Sequence, residues 1–543
     1  MQFKIEKRWR DWLAVVLIGL LVQAFWALRM DHPTYMDAYY YTVNGQRLAD
    51  GFGFTVPVVW QFLDGIRTLP APAHTYWMPL PSLLAALGYL AGDSFRFAQF
   101  PFWLLAGMIP WLSYLISQAL GAARWQAWAA AIFTAFGGYY AAYLSQPTTF
   151  APFAWAGGLG LLLLARVAHA QGQRWHWLAA GVLAGLAHLT RADGILFLPL
   201  AWLLWLRLGL NGRRWRLPSL KPIVAHGVGY LLVMGGWFAR NMAVMGQPMP
   251  TAGTQTMFLT NYNDLFSYGR SFGLENYLAW GLENILASKL EALSLTVQTF
   301  VAVSGLVFLA PFVLWGWVAC LRRQQTRAAM RPLSWFTLLL LGVMVLLFTF
   351  PAGRGSVLHS SAAVWPWMMP LALIGLGLAV EWMAKRLSHW QPERAKPIFA
   401  ALFGVVVFVV SPIVSSQQPL RIEEAALIEE IGVGLPASAV VMAGNPPMIF
   451  YHTGLAAISI PSEPLDRVQL AAADFGVTHL LLDFDHPEFM EGVWAGETNP
   501  SWLQHLDDYY SGTEGVCRPQ REEGAILPGD EECLVFRLFE VQP

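Results

Sequence analysis

The sequence predicts an all-α polytopic membrane bundle of about eleven transmembrane helices, with a soluble α/β domain at its C-terminal end. Three observations predict the bundle and the domain. Of 543 residues, 56% are apolar and only 13% charged, a balance far from that of ordinary soluble proteins. Apolar runs of roughly 17 to 25 residues, each long enough to cross about 30 Å of hydrocarbon as a helix, recur from Asp11 to Val414. The net charge of −1 conceals a partition, since residues 1–414 carry 29 Lys/Arg against 14 Asp/Glu whereas residues 415–543 carry 5 against 21.

The apolar runs fall at 11–30, 95–120, 124–143, 148–170, 174–190, 193–210, 222–240, 293–320, 332–351, 357–383 and 397–414. The first follows Lys4, Lys7, Arg8 and Arg10 but is followed by no small-residue cleavage site, so it reads as a retained anchor. With the N-terminus in the cytoplasm, the basic clusters at Arg213–Arg216, Arg322–Arg331 and Lys385–Lys396 also fall inside. An odd number of spans then carries the C-terminal domain out of the cytoplasm, in a multi-pass plasma-membrane protein. Basic residues confined to short loops set orientation, and they give no reason to expect a nucleic-acid partner.

Two long segments between spans, 31–94 and 241–292, fall on the outer face with the domain 415–543. This asymmetry places any elaborate chemistry outside, over the bundle. Residues 37–49 read as an amphipathic helix along the membrane, and Ser82–Leu90 is too short to span and reads as a surface helix. In the C-terminal domain, Leu420–Ile431 and Pro464–Phe475 read as helices, while Ala439–Ala443, Thr478–Asp483 and Leu534–Glu540 read as strands. Cys517 and Cys533, sixteen apart in that domain, are either a disulfide or two free thiols. No phosphate-cradling glycine loop with Lys-Ser/Thr occurs, which argues against a pump driven by nucleotide hydrolysis.

Acids are scarce in the membrane half, and ten of its fourteen fall on the outer side. Asp37 leads them, in His32-Pro-Thr-Tyr-Met-Asp37-Ala-Tyr39-Tyr40-Tyr41, because the aromatics beside it would withdraw water and raise its basicity. An Asp that opens a helix is also a natural cap, and that reading needs no catalysis. Arg191 and Asp193, in Thr190-Arg-Ala-Asp-Gly194, lie at a hairpin between consecutive spans, where a cation can hold a lipid phosphate or simply pair with its neighbour. Arg240 ends another span, with Asn261 and Arg270 in the polar loop beyond; the alternatives are sugar contacts, snorkelling and turns. Gly353-Arg354-Gly355, followed by His359, is a short outer hairpin that suits a phosphate, with Arg354 as its cation. His74 and Tyr76 precede Trp77-Met-Pro-Leu-Pro81 and are candidates for orienting a substrate. No His/Cys cluster has zinc spacing and the outer membrane loops lack an Asp-x-Asp pair, so neither a divalent metal nor any other cofactor is expected.

Met36-Asp37-Ala-Tyr-Tyr-Tyr41, Leu48-Ala-Asp-Gly51-Phe-Gly53 and Tyr76-Trp-Met-Pro-Leu-Pro81, taken in order with Trp237-Phe-Ala-Arg-Asn241 and Thr190–Gly194, resemble polytopic glycosyltransferases of the GT-C fold. The likeness is to the branch related to protein mannosyltransferases and lipid A aminoarabinose transferases, and it covers about residues 1–414. It implies a sugar donor linked to a polyprenyl phosphate or diphosphate, an acceptor glycan, lipid or protein at the outer leaflet, surrounding membrane lipids, and inverting transfer. It also implies that Asp37, by match to the family's first-loop acid, is the base, while cations among Arg191, Arg240 and Arg354 hold the departing phosphate. The turn Leu144-Ser-Gln-Pro-Thr-Thr149 has no acid, unlike metal-dependent oligosaccharyltransferases, which points to metal-independent transfer. A secondary transporter and a non-catalytic scaffold with an outer binding domain are the competing readings. Transporters place ionisable residues or broken helices near the midplane, whereas the charges here crowd at the outer edge.

Overall fold

The computed structural model describes residues 5–168, 173–211, 214–215, 217–349, 356–387, 390–416, 422–512 and 533–542. Helix α1 (Trp9–Ala27) shows how the bundle is built, for its buried residues are Asp11, Val15, Gly19 and Gln23, while Leu13, Leu17, Leu21 and Phe25 are exposed. The small and polar stripe faces protein and the leucine face is left for lipid, the packing expected where apolar surface has no water to escape. A Cβ at Gly19 would overlap the carbonyl oxygen of Gly107 on α4 (Phe95–Ala119), so both helices approach through glycine.

Between them in the chain stand α2 (Met36–Ala49) and α3 (Leu80–Tyr89), helices at the positions expected from sequence, with β1 (Thr55–Val56), β2 (Val58–Val59) and β3 (Ala71–Pro72) in the loop joining them. Helix α2 is not the amphipathic surface helix expected, because Ala38 through Gly45 are all buried. Then follow α5 (Arg124–Ala135), α6 (Phe150–Arg166), α7 (Arg174–Thr190), α8 (Phe197–Leu208), a small hairpin β4 (Leu210–Asn211) and β5 (Arg214–Trp215), and α9 (Lys221–Met245). Helices α10 (Thr251–Gln255) and α11 (Leu274–Ala279) lie in the second long loop, before α12 (Leu282–Gly305), α13 (Ala310–Arg322), α14 (Arg327–Leu347), α15 (Ser356–Ser361), α16 (Trp365–Ala384) and α17 (Pro392–Ser416).

Among the described residues seven helices, α1, α4, α9, α12, α14, α16 and α17, are long and apolar enough to cross a membrane. Every one of the eleven expected runs contains helix, but their outlines need correction. The run 293–320 is not one helix, because Leu306 and Val307 take left-handed conformations at φ 49° and 65° and separate α12 from α13. Pro311 stands in the first turn of α13, where a missing N–H is harmless, and this restarts the helix after the break. The run 357–383 likewise divides into α15 and α16. The runs 124–143 and 193–210 hold helices of only 12 residues, about 18 Å long, extended by single turns.

The C-terminal domain comprises α18 (Ile422–Gly434), β6 (Val440–Ala443), α19 (Pro446–Thr453), β7 (Ala456–Ser459), α20 (Leu465–Phe475), β8 (His479–Asp483), α21 (Glu491–Trp494), β9 (Leu503–Ser511) and β10 (Cys533–Val541). Its sheet runs β2-β7-β6-β8-β10-β9, parallel from β2 through β8 and antiparallel beyond. One edge strand therefore comes from the first loop, with Val58 against Ala457 and Val59 against Ile458. The domain drawn at 415–543 is completed by a strand some 360 residues earlier, so loop and domain form one body. Cys517 lies outside the described residues.

Candidate active site

Asp37 stands in the first turn of α2, one residue inside the helix, and the cap position belongs to Tyr35, which makes no side-chain cap bond. Tyr39, Tyr40 and Tyr41 behind it are buried. Among the described residues no other side chain hydrogen-bonds to the Asp37 carboxyl, and the residue is half-buried. Burial pushes its pKa up to about 7, against the pull of the Arg191 guanidinium.

Arg191 is placed by the turn between α7 and α8. A Cβ at Gly194 would overlap Ala187 and the backbone nitrogen of His188, so only glycine lets the chain fold back onto the end of α7. The fold-back brings Asp193 to Arg191, whose Nε donates to Oδ1 at 3.0 Å and whose Nη2 donates to Oδ2 at 3.3 Å. Nη2 also reaches the Ser360 hydroxyl on α15 at 3.2 Å, and that hydroxyl donates to Asp193. Nη1 is left with no protein acceptor among the described residues. Arg191 is also the charge felt by Tyr41, Tyr76, Tyr140 and His359, which gathers these side chains and Asp37 around one guanidinium.

His359 stacks on Phe150 with centroids 4.1 Å apart, and its Nδ1 is 2.8 Å from the Thr149 hydroxyl. Burial first and then Arg191 hold it well below the ordinary imidazole range, so the ring is neutral. Its Nε2 has no protein partner among the described residues. The site thus offers an acceptor-only carboxylate, a guanidinium pinned on one edge and a neutral imidazole, an arrangement able to take a proton from a hydroxyl and to receive an oxyanion.

The other expected site residues are placed differently. His74 is fully buried at φ 59°, donates its backbone N–H to the Tyr40 hydroxyl oxygen at 2.7 Å, and has its pKa held by burial down to about 3. Arg240 donates to the carbonyls of Ala73 at 2.7 Å and Phe54 at 3.5 Å and lies over Trp237. These two shape the first loop around the tyrosines. Asn261 caps a single turn by accepting from Asn263 N–H. Arg270 pairs with Asp264 at 2.6 Å and Glu463 at 3.0 Å, tying the second loop to the C-terminal domain. Tyr76 packs edge-on against Trp60 and feels both Asp37 and Arg191. Arg354 lies outside the described residues.

Thr149, Ser360 and Tyr140 enter the site without having been singled out from sequence. Thr149 sits in the turn that drew notice only for having no acid, and Ser360 follows His359 directly. Their roles depend on partners 210, 167 and 218 residues away, which no local pattern encodes.

No family model matches the sequence, and no curated protein matches it. Among solved structures, the archaeal oligosaccharyltransferase AglB from Archaeoglobus fulgidus, in complex with an inhibitory peptide and a dolichol-phosphate, aligns at TM-score 0.53 and 13% identity, over 94% of this chain and 74% of that one. ArnT from Cupriavidus metallidurans, bound to undecaprenyl phosphate, aligns at TM-score 0.51 and 13% identity over 97% of both chains. The fold is therefore that of these polytopic proteins, the GT-C fold expected from the order of sequence motifs.

Proposed function

We propose that this GT-C-fold chain is a membrane glycosyltransferase that moves a sugar from a polyprenyl-phosphate-linked donor to an acceptor hydroxyl or amine on the extracytoplasmic face, with inversion. The observation that carries this reading is the half-buried Asp37, whose carboxylate has no side-chain partner among the described residues and lies in the field of the Arg191 guanidinium, whose Nη1 has no protein acceptor among the described residues. Asp37 removes the acceptor proton as the acceptor atom bonds to the anomeric carbon. The bond from that carbon to the phosphate oxygen breaks on the opposite face, and its electron pair stays on the phosphate. Arg191 and the neutral His359 stabilise the charge gained there. A single in-line displacement inverts the anomeric configuration. Undecaprenyl phosphate and dolichol-phosphate in the two similar structures support a polyprenyl-phosphate donor.

The test is transfer of label from a panel of defined polyprenyl-linked sugars in membranes carrying wild type or Asp37→Asn at equal expression. Loss of a general base lowers the rate by roughly 10²–10⁴-fold. Equal transfer by the two proteins overturns the assignment.

A further inference from the structure

The C-terminal domain touches α2 through a chain of hydrogen bonds. His452, near the end of α19, has Nε2 3.0 Å from the Tyr39 hydroxyl and Nδ1 2.9 Å from the Glu429 carboxylate on α18. The same hydroxyl is 2.9 Å from Nδ1 of His32, just before α2. One set of proton positions satisfies all of these. Glu429 only accepts, so His452 carries its proton on Nδ1 and receives the Tyr39 hydroxyl at Nε2, which leaves the phenol oxygen to accept from His32 Nδ1–H, a proton shared with the Pro33 carbonyl at 2.8 Å. Tyr39 is fully buried and is further wedged by Tyr451, with ring centroids 5.3 Å apart. Beside this contact, β2 joins the domain's sheet and Ser459 Oγ donates to the Trp60 carbonyl at 2.8 Å, so the first loop meets the domain both at α2 and again at β2.

We propose that the C-terminal α/β domain is part of the catalytic module, with Tyr39 and His452 as positioning residues that fix the rotation of α2 and thereby aim Asp37. The inference rests on the reading of Asp37 as the base. At about 100° per residue, Tyr39 lies roughly 200° around the helix from Asp37, so a clamp on Tyr39 holds α2 from the side away from the carboxylate. A side chain about 6 Å from a helix axis moves about 1 Å for each 10° of rotation, a displacement that at a reacting centre can cost on the order of 10²-fold in rate. Glu429 supplies the second anchor of the imidazole, as an outer carboxylate orients a histidine elsewhere in enzyme chemistry.

The experiment uses the full-length protein and compares wild type with His452→Ala, His452→Gln, Tyr39→Phe and Asp37→Asn. Label transfer from the polyprenyl-linked sugar active with wild type is measured together with amide hydrogen exchange of residues 36–41. His452→Ala and Tyr39→Phe are expected to lower kcat by about 10- to 100-fold with donor KM within about twofold, and to speed exchange in residues 36–41 while the strands of the C-terminal sheet keep their protection. His452→Gln, whose amide oxygen replaces the Nε2 acceptor, is expected to recover most of kcat and the slow exchange. Wild-type kcat in both His452→Ala and Tyr39→Phe, or unchanged exchange across residues 36–41, overturns the proposal, as does a Gln variant as impaired as the Ala one. If His452→Ala fails to fold, Tyr39→Phe decides alone. Equal transfer by wild type and Asp37→Asn would instead sink the reading of the base, and the exchange measurement would still report on the clamp.

Discussion

Arg191 and Asp193 hold each other at 3.0 Å in a turn that only Gly194 permits, and both are nearly buried, with side-chain exposures of 18% and 7%. A buried pair of this kind gains little net stability, since desolvation offsets much of the attraction. Its consequence here is directional. Asp193 and Ser360 occupy the Nε and Nη2 edge of the guanidinium and leave Nη1 with no protein acceptor among the described residues.

The first prediction concerns that direction. Arg191→Lys keeps the charge but loses the fork that Asp193 grips, so donor KM is expected to rise about tenfold and kcat to fall. Asp193→Asn keeps the shape, weakens the grip and leaves a less compensated cation, and it is expected to lower kcat by about tenfold. Steady-state kinetics of both variants decide the matter. Wild-type constants in Asp193→Asn would show that the pair orients nothing.

A second prediction follows from the protonation of Asp37, which burial holds at about 7. The base works only when ionised, so the rate should rise with pH through about 7 and level above it. Stability has the opposite slope. The folded chain binds this proton more tightly than the unfolded chain, whose carboxyl titrates near 3.8, so stability falls as pH rises between those values. Asp37→Asn has no carboxylate to bury and should melt higher than wild type at pH 8 and no differently at pH 3. A melting difference independent of pH would contradict the burial of this group.

How far the sequence speaks for the site depends on the range of the contacts. Asp37 is legible because a carboxylate among tyrosines beside a membrane span is unusual within ten residues. Arg191 and Asp193 are legible because they, and the glycine that permits their turn, are neighbours. Thr149 and Ser360 are illegible, since hydroxyls are common and only the packing of the Thr149 turn, the α7–α8 turn and α15 gives these two their partners. The fold shows the same division. Eleven apolar runs announce the bundle, but the break at Leu306 and Val307 is written in residues that ordinarily avoid positive φ, so tertiary packing against Gly138 overrides local preference there. Strand β2 was hidden for a further reason, because two residues paired across the chain carry no period of their own.

Arg240 gives a third prediction, in which two roles separate. A phosphate ligand removed by Arg240→Ala would raise donor KM and spare stability. The hydrogen bonds to the Ala73 and Phe54 carbonyls predict instead a loss of about 1–3 kcal/mol, because the carbonyl of the buried Ala73 and that of the half-buried Phe54 lose a charged donor. Thermal unfolding in detergent is expected to show a lower midpoint for Arg240→Ala, with the first loop cut sooner by protease. An unchanged midpoint with raised donor KM would return Arg240 to the substrate.

The last prediction concerns metal. A divalent ion bound through oxygen usually draws on carboxylates with free lone pairs, and the turn 144–149, where an acid would help supply them, offers Gln146 and Thr149 instead. Gln146 is spent on Thr34, with its Oε1 3.2 Å from the backbone nitrogen, and Thr149 on His359. Asp193 is engaged by Arg191 and Ser360, which leaves Asp37 as the free carboxylate among the described residues of the site. Positive charge at the departing phosphate then has to come from the guanidinium, and the reaction should not need an added ion. Protein dialysed against a chelator is expected to transfer sugar at a rate within about twofold of untreated protein, and Mg²⁺ or Mn²⁺ should add little. Arg191→Ala in the same assay should lose activity that no metal restores. A rate that collapses on chelation and returns with one ion would mean that the donor phosphate brings a metal into the site, with Asp37 as its ligand rather than as the base.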